Sequence, residues 1–282
     1  MLENNLSLSN DNNFYYIKKE NKVIKISLTH KIYIKTLMRF FDIHFDAVEN
    51  EVINNEYVVD FSQSKKHKIK GFDLFEIYCP SLAETFDTAL QYLDHAHLKD
   101  GDVVFDLGAY SGLTSILFSQ VVGKNGKVIS LEPDILNFSC LTKNIEQLND
   151  KSNIECMNAA IWNKTGVLEF SSEQSMGSSA VSIVGSRGQL NNVNCYTLSD
   201  ICSIFKLDKV DFIKCDIEGA EAYIFEDEEF FSKFKPKILL ETHIVNGQFC
   251  DEICIEKLSK YGYNYKRIAQ FGLDMPLLEF SM

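Results

Sequence analysis

Apolar positions recur along this chain in two rhythms, and the change of rhythm divides it. In the first seventy residues, 14–17 and 23–26 read as strands flanking the polar segment 18–22, a hairpin pattern. Leu37, Phe40, Phe41 and Phe45 then fall at helical spacing. The polar and basic stretch 61–70 places a boundary between an extension, 1–70, and a main domain, 71–282; a loop inside one domain fits it equally. From residue 81 the pattern is regular. Leu82, Phe86, Leu90 and Leu93 give a helix face after the start signal Pro80-Ser81. Residues 103–107 form a buried strand, and Leu113, Ile116, Leu117 and Val121 a helix ending at Gly123. A strand at 128–131, a helix through Phe138, Leu141, Ile145 and Leu148, and a strand at 154–157 follow. Strands at 167–170 and 193–196 flank a Ser/Gly-rich loop. Core strands at 210–215 and 238–240, a helix at 253–261 and a closing antiparallel pair at 263–268 and 277–280 complete the chain.

Strands alternating with helices imply an α/β fold, a doubly wound, mostly parallel sheet covered on both faces, here closed by an antiparallel pair and preceded by an α+β extension. Ligands in such sheets bind at the carboxyl ends of the strands, where the strand order reverses.

Charge narrows the partners. The chain carries a net charge of −12, and the acid excess lies in residues 71–282, with 17 basic against 31 acidic groups. A surface this acidic repels a phosphate backbone, so nucleic acid is excluded as partner. The run 107–123 is uncharged, but Ser111, Thr114, Ser115, Ser119 and Gln120 interrupt it, so no membrane span is expected. Eight cysteines show no Cys-x-x-Cys spacing, and Cys250 and Cys254 read as small buried hydrophobes. With a polar, acidic start, Met1-Leu2-Glu3-Asn4-Asn5, these features predict a cytoplasmic protein with reduced thiols.

Four strand ends carry candidate chemistry. Asp106-Leu107-Gly108-Ala109-Tyr110-Ser111-Gly112 stands between a buried strand and an amphipathic helix. Gly108 permits a sharp turn and Gly112 a tight helix entry. The spacing is Gly-x-x-x-Gly, which argues against a nicotinamide dinucleotide, and Asp106 suits a ligand bearing an ammonium or hydroxyls better than a pyrophosphate. Glu132 ends the next strand, where one carboxylate accepts from both hydroxyls of a ribose. The third cluster is Lys214-Cys215-Asp216-Ile217-Glu218-Gly219-Ala220-Glu221, with Lys214 and Asp216 on one side of a strand and Glu221 read as part of a helix start. A fourth end carries Glu241 and His243.

The stretch from about Ser81 to Glu241 resembles the FkbM-type methyltransferases, S-adenosylmethionine-dependent enzymes with a Rossmann-like sheet. The resemblance rests on the loop after residues 103–107, on Glu132-Pro133 with Asn137, Leu141 and Asn144, on Asn158-Ala159-Ala160, on Gly177-Ser178-Ser179 before Thr197-Leu198, on Lys-x-Asp-x-Glu-Gly-x-Glu at 214–221, and on Glu241 and His243. Tyr110 stands where the family usually has Asn, and Ser199 where Asp commonly follows Thr-Leu. The resemblance implies that S-adenosylmethionine is held by Asp106, Gly108, Ala109, Tyr110, Gly112, Glu132, Pro133, Asn158, Ala159 and Asp216. It also implies a hydroxyl acceptor on a small molecule or glycan, often a sugar.

Methyl transfer from a sulfonium needs an acceptor held in line and a base for its proton. Asp216 or Glu218 is the expected base or orienting group and His243 the competing base. Lys214 is expected to keep the carboxylates ionised, and Glu241 completes the set. Less favoured readings are a Mg²⁺ ion on Asp216, Glu218, Glu241 and His243, and a non-catalytic module that binds the cofactor alone. Residues 1–70 are expected to serve as a lid, a homodimer contact or a docking surface.

Overall fold

Seven strands make the central sheet: β1 (Val103–Leu107), β2 (Lys127–Leu131), β3 (Ile154–Met157), β4 (Phe212–Cys215), β5 (Lys237–Glu241), β6 (Asn264–Ile268) and β7 (Leu277–Ser281). The computed structural model describes residues 5–185, 188–245, 248–270 and 276–282. The strand order is β3-β2-β1-β4-β5-β7-β6. β1 to β5 are parallel, and β7 runs antiparallel to both β5 and β6. Every residue of β1 and β4 is buried, because helices cover both faces. The chain leaves β1 toward β2 and β3 in one direction and returns to add β4 and β5 on the other side, so the crevice opens at the carboxyl ends of β1 and β4.

The predicted strands and the closing pair stand where the pattern places them, while three helices shift. The first begins at Phe86, not at Ser81; it spans Phe86–Ala96 with Thr85 as its cap, and buries Ala89, Tyr92 and Ala96. Leu82 and Ala83 are buried for another reason: with Glu84 they line a cavity and never enter the helix. In Leu113–Val122 the last buried residue is Val122, and Val121 faces outward, since packing on both sides rotates the face assigned by periodicity. The last helix is Asp251–Ser259, and Ile253 is exposed while Cys254, Ile255 and Leu258 are buried.

In the extension, Phe14–Lys19 and Lys22–Ser27 pair as an antiparallel hairpin inside a five-stranded sheet. The aromatic run forms two short helices, Ile34–Arg39 and Phe41–Asp46, that meet at the non-helical Phe40. The basic stretch near residue 65 is a strand, Lys65–His67, paired with Ile77–Cys79. Lys66, Lys68 and Lys70 are exposed, and His67 and Ile69 are buried. One apolar cluster joins Ile17, Leu37, Phe45 and Phe61 to Val104, Leu113, Phe212 and Leu277. A second, four-stranded sheet containing Gly166–Ser172 and Gln189–Tyr196 carries the serine-rich loop over the crevice. Residues 186 and 187, within the Ser/Gly-rich stretch, lie outside the described residues. Among the described residues, no helix is long and apolar enough to cross a membrane.

Because Leu37 is fully enclosed in the shared cluster, Leu37→Ala is expected to cost about 2–5 kcal/mol. Urea unfolding followed by circular dichroism and by fluorescence of Trp162, which lies far along the chain, should shift together. A separate early transition that leaves the Trp162 signal untouched would show that the extension melts alone.

Candidate functional site

A cavity of about 320 Å³ lies at the carboxyl ends of β1, β2, β4 and β5. Its floor is the turn after β1. Gly108 has a φ of +76°, and a Cβ there would overlap the carbonyl oxygen of Asp216, so only glycine lets the β1 and β4 ends abut. Gly112, at φ +85°, does not line the cavity; a Cβ there would collide with Leu141, so it sets how closely the following helix packs. Gly108 N–H and Ala109 N–H both donate to the Leu131 carbonyl at 3.0 Å, which ties the turn to the end of β2. Tyr110 adopts a left-handed conformation, φ +50°, donates its N–H to Glu132 Oε2 (2.9 Å) and sends its hydroxyl to the Leu82 carbonyl (2.7 Å).

Glu132 faces the cavity from the end of β2. Its carboxylate also accepts from Asp134 N–H (2.9 Å) and Asn137 Nδ2 (3.3 Å). Burial first, and the charge of Asp134 second, push its carboxyl up to about 8. Pro133 and Ala159 line the same end of the cavity. Besides Gly112, three residues expected to touch the cofactor do not line the cavity: Ala109, Asn158 and Asp106. Asn158 is behind the wall, donating to the carbonyls of Glu132 (2.8 Å) and Pro133 (3.0 Å), so it braces the turn. Asp106 is fully buried beneath the floor, where its Oδ2 accepts from Thr114 (2.7 Å) and Ser115 (2.6 Å). The cause is register: Asp106 pairs across the strands with Lys214, so both side chains share one inward face.

Lys214 likewise does not reach the cavity. Its Nζ donates to the Gly108 carbonyl (2.7 Å) and stands 3.5 Å from both Asp106 Oδ1 and Asp216 Oδ2. Burial alone lowers an ammonium's pKa, but the carboxylates of Asp216, Asp106, Glu84 and Glu241 outweigh it and hold Lys214 raised and charged.

Asp216, Glu218, Glu241 and His243 do converge on the cavity. His243 Nε2 is 3.6 Å from Asp216 Oδ1, 3.5 Å from Glu218 Oε1 and 3.9 Å from Glu241 Oε1. Its Nδ1 is 2.9 Å from Glu221 Oε1. Burial works against the imidazolium, yet Glu218, Glu221 and Asp216 overcome it and hold His243 well above its ordinary value. Glu218, left-handed at φ +54°, is pushed up to about 8, by burial first. Glu241 is also raised by burial; its Oε2 accepts from Tyr92 (2.9 Å) and Gln270 (2.6 Å).

Four contributors escape a reading of the sequence. Glu221 looks like a helix-start acid, but it is fully buried and accepts from the N–H groups of Ile217 (2.9 Å) and Gly219 (2.7 Å) while orienting His243. The motif at 214–221 contained that signal. Glu84 lines the cavity from a segment whose apolar neighbours mimic a helix face. Tyr33 and His44 line it from the extension. The Tyr33 hydroxyl lies 2.8 Å from Ser175 Oγ and accepts the Gly177 N–H at 2.6 Å, fastening the extension to the serine-rich loop.

The residues present fit S-adenosylmethionine. That molecule carries a sulfonium and an ammonium against one carboxylate, and the cavity offers Glu84, Glu132, Asp216, Glu218 and Glu241, with apolar surface from Leu131, Pro133 and Phe170 for a base.

The Methyltransferase FkbM domain matches residues 106–265, more than half of the chain. No curated protein matches the sequence. Among solved structures, a methyltransferase FkbM from Methylobacillus flagellatus is 18% identical, covering 65% of this chain and 44% of its own, with a TM-score of 0.49. Precorrin-6y C5,15-methyltransferase from Geobacter metallireducens is 14% identical over 71% of this chain and 91% of its own, with a TM-score of 0.47. Aeropyrum pernix fibrillarin, solved with natively bound S-adenosyl-L-methionine, is 14% identical over 100% of both chains, with a TM-score of 0.44. The chain belongs to the FkbM methyltransferase family, as an α/β enzyme that uses S-adenosylmethionine.

Proposed function

We propose that this methyltransferase methylates a hydroxyl oxygen of an uncharged small molecule or glycan, a sugar being the best fit, in the cytoplasm. The observation that carries the reading is the cavity wall. Five carboxylates line it, and among the described residues no Lys or Arg does. A phosphorylated or acidic acceptor would find no lysine or arginine to pair with there, whereas the hydroxyls of a polyol find carboxyl partners on every side. Residues of the extension, Ile32, Thr36, Ile43 and His44, complete the wall, which supports a lid role for 1–70. Eight free cysteines support a reducing compartment.

When bound, S-adenosylmethionine would supply an activated methyl group, with a neutral thioether as the leaving group. The protein holds the acceptor in line, excludes water and takes one proton. Asp216, at the end of β4 beside the Gly108 turn, receives that proton as the acceptor oxygen bonds to carbon. Glu218, its carboxyl raised by burial and facing His243, orients the acceptor hydroxyl. His243, held as an imidazolium, is a poor base and acts as the counter-charge that keeps the carboxylates close together. Lys214 positions Asp216 from below. Glu132 takes the ribose hydroxyls.

A second reading has one observation in its favour. Asp216, Glu241 and His243 each offer a ligand atom, all within 4.8 Å of one another, and Glu221 fixes His243 so that Nε2 faces the carboxylates. A divalent cation there would activate the hydroxyl as a Lewis acid.

Three outcomes test these assignments. Asp216→Asn should lower kcat by about 10²- to 10⁴-fold while calorimetric affinity for S-adenosylmethionine changes little; undiminished turnover removes Asp216 from the chemistry. Activity should survive exhaustive EDTA treatment, and loss that Mg²⁺ restores would favour the metal reading. The third concerns pH. Glu132 binds its proton more tightly in the folded protein than at its ordinary value of 4.5, so its contribution to stability is fully present below pH 4.5 and is lost as pH rises through about 8. The Tm of Glu132→Gln minus that of the wild type, both without cofactor, should therefore increase from pH 5 to 8.5. A flat difference would contradict a buried, proton-holding carboxyl.

A further inference from the structure

Glu84 lies outside the stretch that matches the family, in the segment between the strand Ile77–Cys79 and the helix Phe86–Ala96. Its side chain lines the cavity, and burial pushes its carboxyl up to about 7. The nearest cation, Lys214, is committed elsewhere, to the Gly108 carbonyl and the carboxylates of Asp106 and Asp216. The hydrogen bond Glu84 does have is a long one, from Ser111 Oγ at 3.4 Å. A carboxylate recessed in a low-dielectric wall, coupled to Lys214 but with no ion pair to it among the described contacts, is costly, and a ligand that brings a cation removes the cost.

A cofactor whose ribose is held at Glu132 and whose methyl faces Asp216 would extend its amino-acid arm past the Gly108 turn, along the part of the wall that Glu84 lines. Glu84 stands at that point, electrostatically coupled to Lys214, Asp106 and Asp216. We propose that the Glu84 carboxylate receives the α-ammonium group of S-adenosylmethionine and so sets the direction in which the cofactor lies. This rests on the cofactor assignment and adds a residue to it. An ammonium at Glu84 also distinguishes the whole cofactor from adenosine fragments that lack the arm.

The test is a cycle between protein and ligand, read by calorimetry on the full chain. S-adenosylhomocysteine is compared with its analogue in which the amino group is replaced by hydrogen, on the wild type and on Glu84→Gln. A charge-assisted hydrogen bond predicts that the wild type binds the deaminated analogue about tenfold or more weakly. Glu84→Gln should lose a similar factor for S-adenosylhomocysteine and about none for the analogue. Equal affinity of the wild type for the two ligands overturns the proposal without any variant. So does a variant that binds S-adenosylhomocysteine unchanged, or that loses both ligands equally. A wild type that binds S-adenosylhomocysteine but fails these comparisons refutes the role of Glu84 alone; one that binds neither S-adenosylhomocysteine nor S-adenosylmethionine refutes the cofactor assignment with it.

Discussion

Lys214 lies buried beneath the cavity, and its charge is met from three directions: the Gly108 carbonyl, Asp106 and Asp216. An ammonium buried among such partners is strongly directional, since removing any of them leaves part of a charge unanswered in a low dielectric. The consequence reaches across the sheet. Asp106 belongs to β1 and Asp216 follows β4, so one side chain fixes the relative position of the cofactor turn and the acid proposed to take the proton. Gly108 strengthens the same junction by omission, because its missing side chain lets the two strand ends touch.

Above that junction the protein accepts an unusual concentration of acid. Glu84, Glu132, Glu218 and Glu241 all have their carboxyls raised, each mainly through burial. His243 collects several of these carboxylates around one imidazolium, and Glu221 holds its far nitrogen. Such a site is incomplete without positive charge from a ligand, and a sulfonium cofactor supplies it. The electrostatics that disfavour an anionic acceptor are thus the same that favour this cofactor.

The sheet was legible in the sequence because buried strands such as β1 and β4 appear as short apolar runs between turn signals, whatever the tertiary context. Helix boundaries were less so. The run from Leu82 to Leu93 has a helical period, but its first part is apolar because it walls a cavity, and a pattern cannot distinguish that from a helix face. The convergence of Asp216, Glu218, Glu241 and His243 was readable from their shared location at strand ends. The inward turn of Asp106 was not, since it depends on pairing with Lys214 from more than a hundred residues away. Glu84 and Tyr33 gave no signal, because each acquires meaning only when distant segments close on one another.

The bond between Tyr33 and Gly177 joins two segments of the cavity lining, the extension and the serine-rich loop. A Cβ on Gly177 would stand 2.6 Å from the Tyr33 hydroxyl, so the loop can approach this closely only while position 177 has no side chain. The roof over the acceptor therefore depends on a bare backbone 144 positions away from the tyrosine it receives. A lineage that enlarges this pocket by remodelling its amino-terminal wall must renegotiate that glycine as well, and the two regions are bound to drift as a pair.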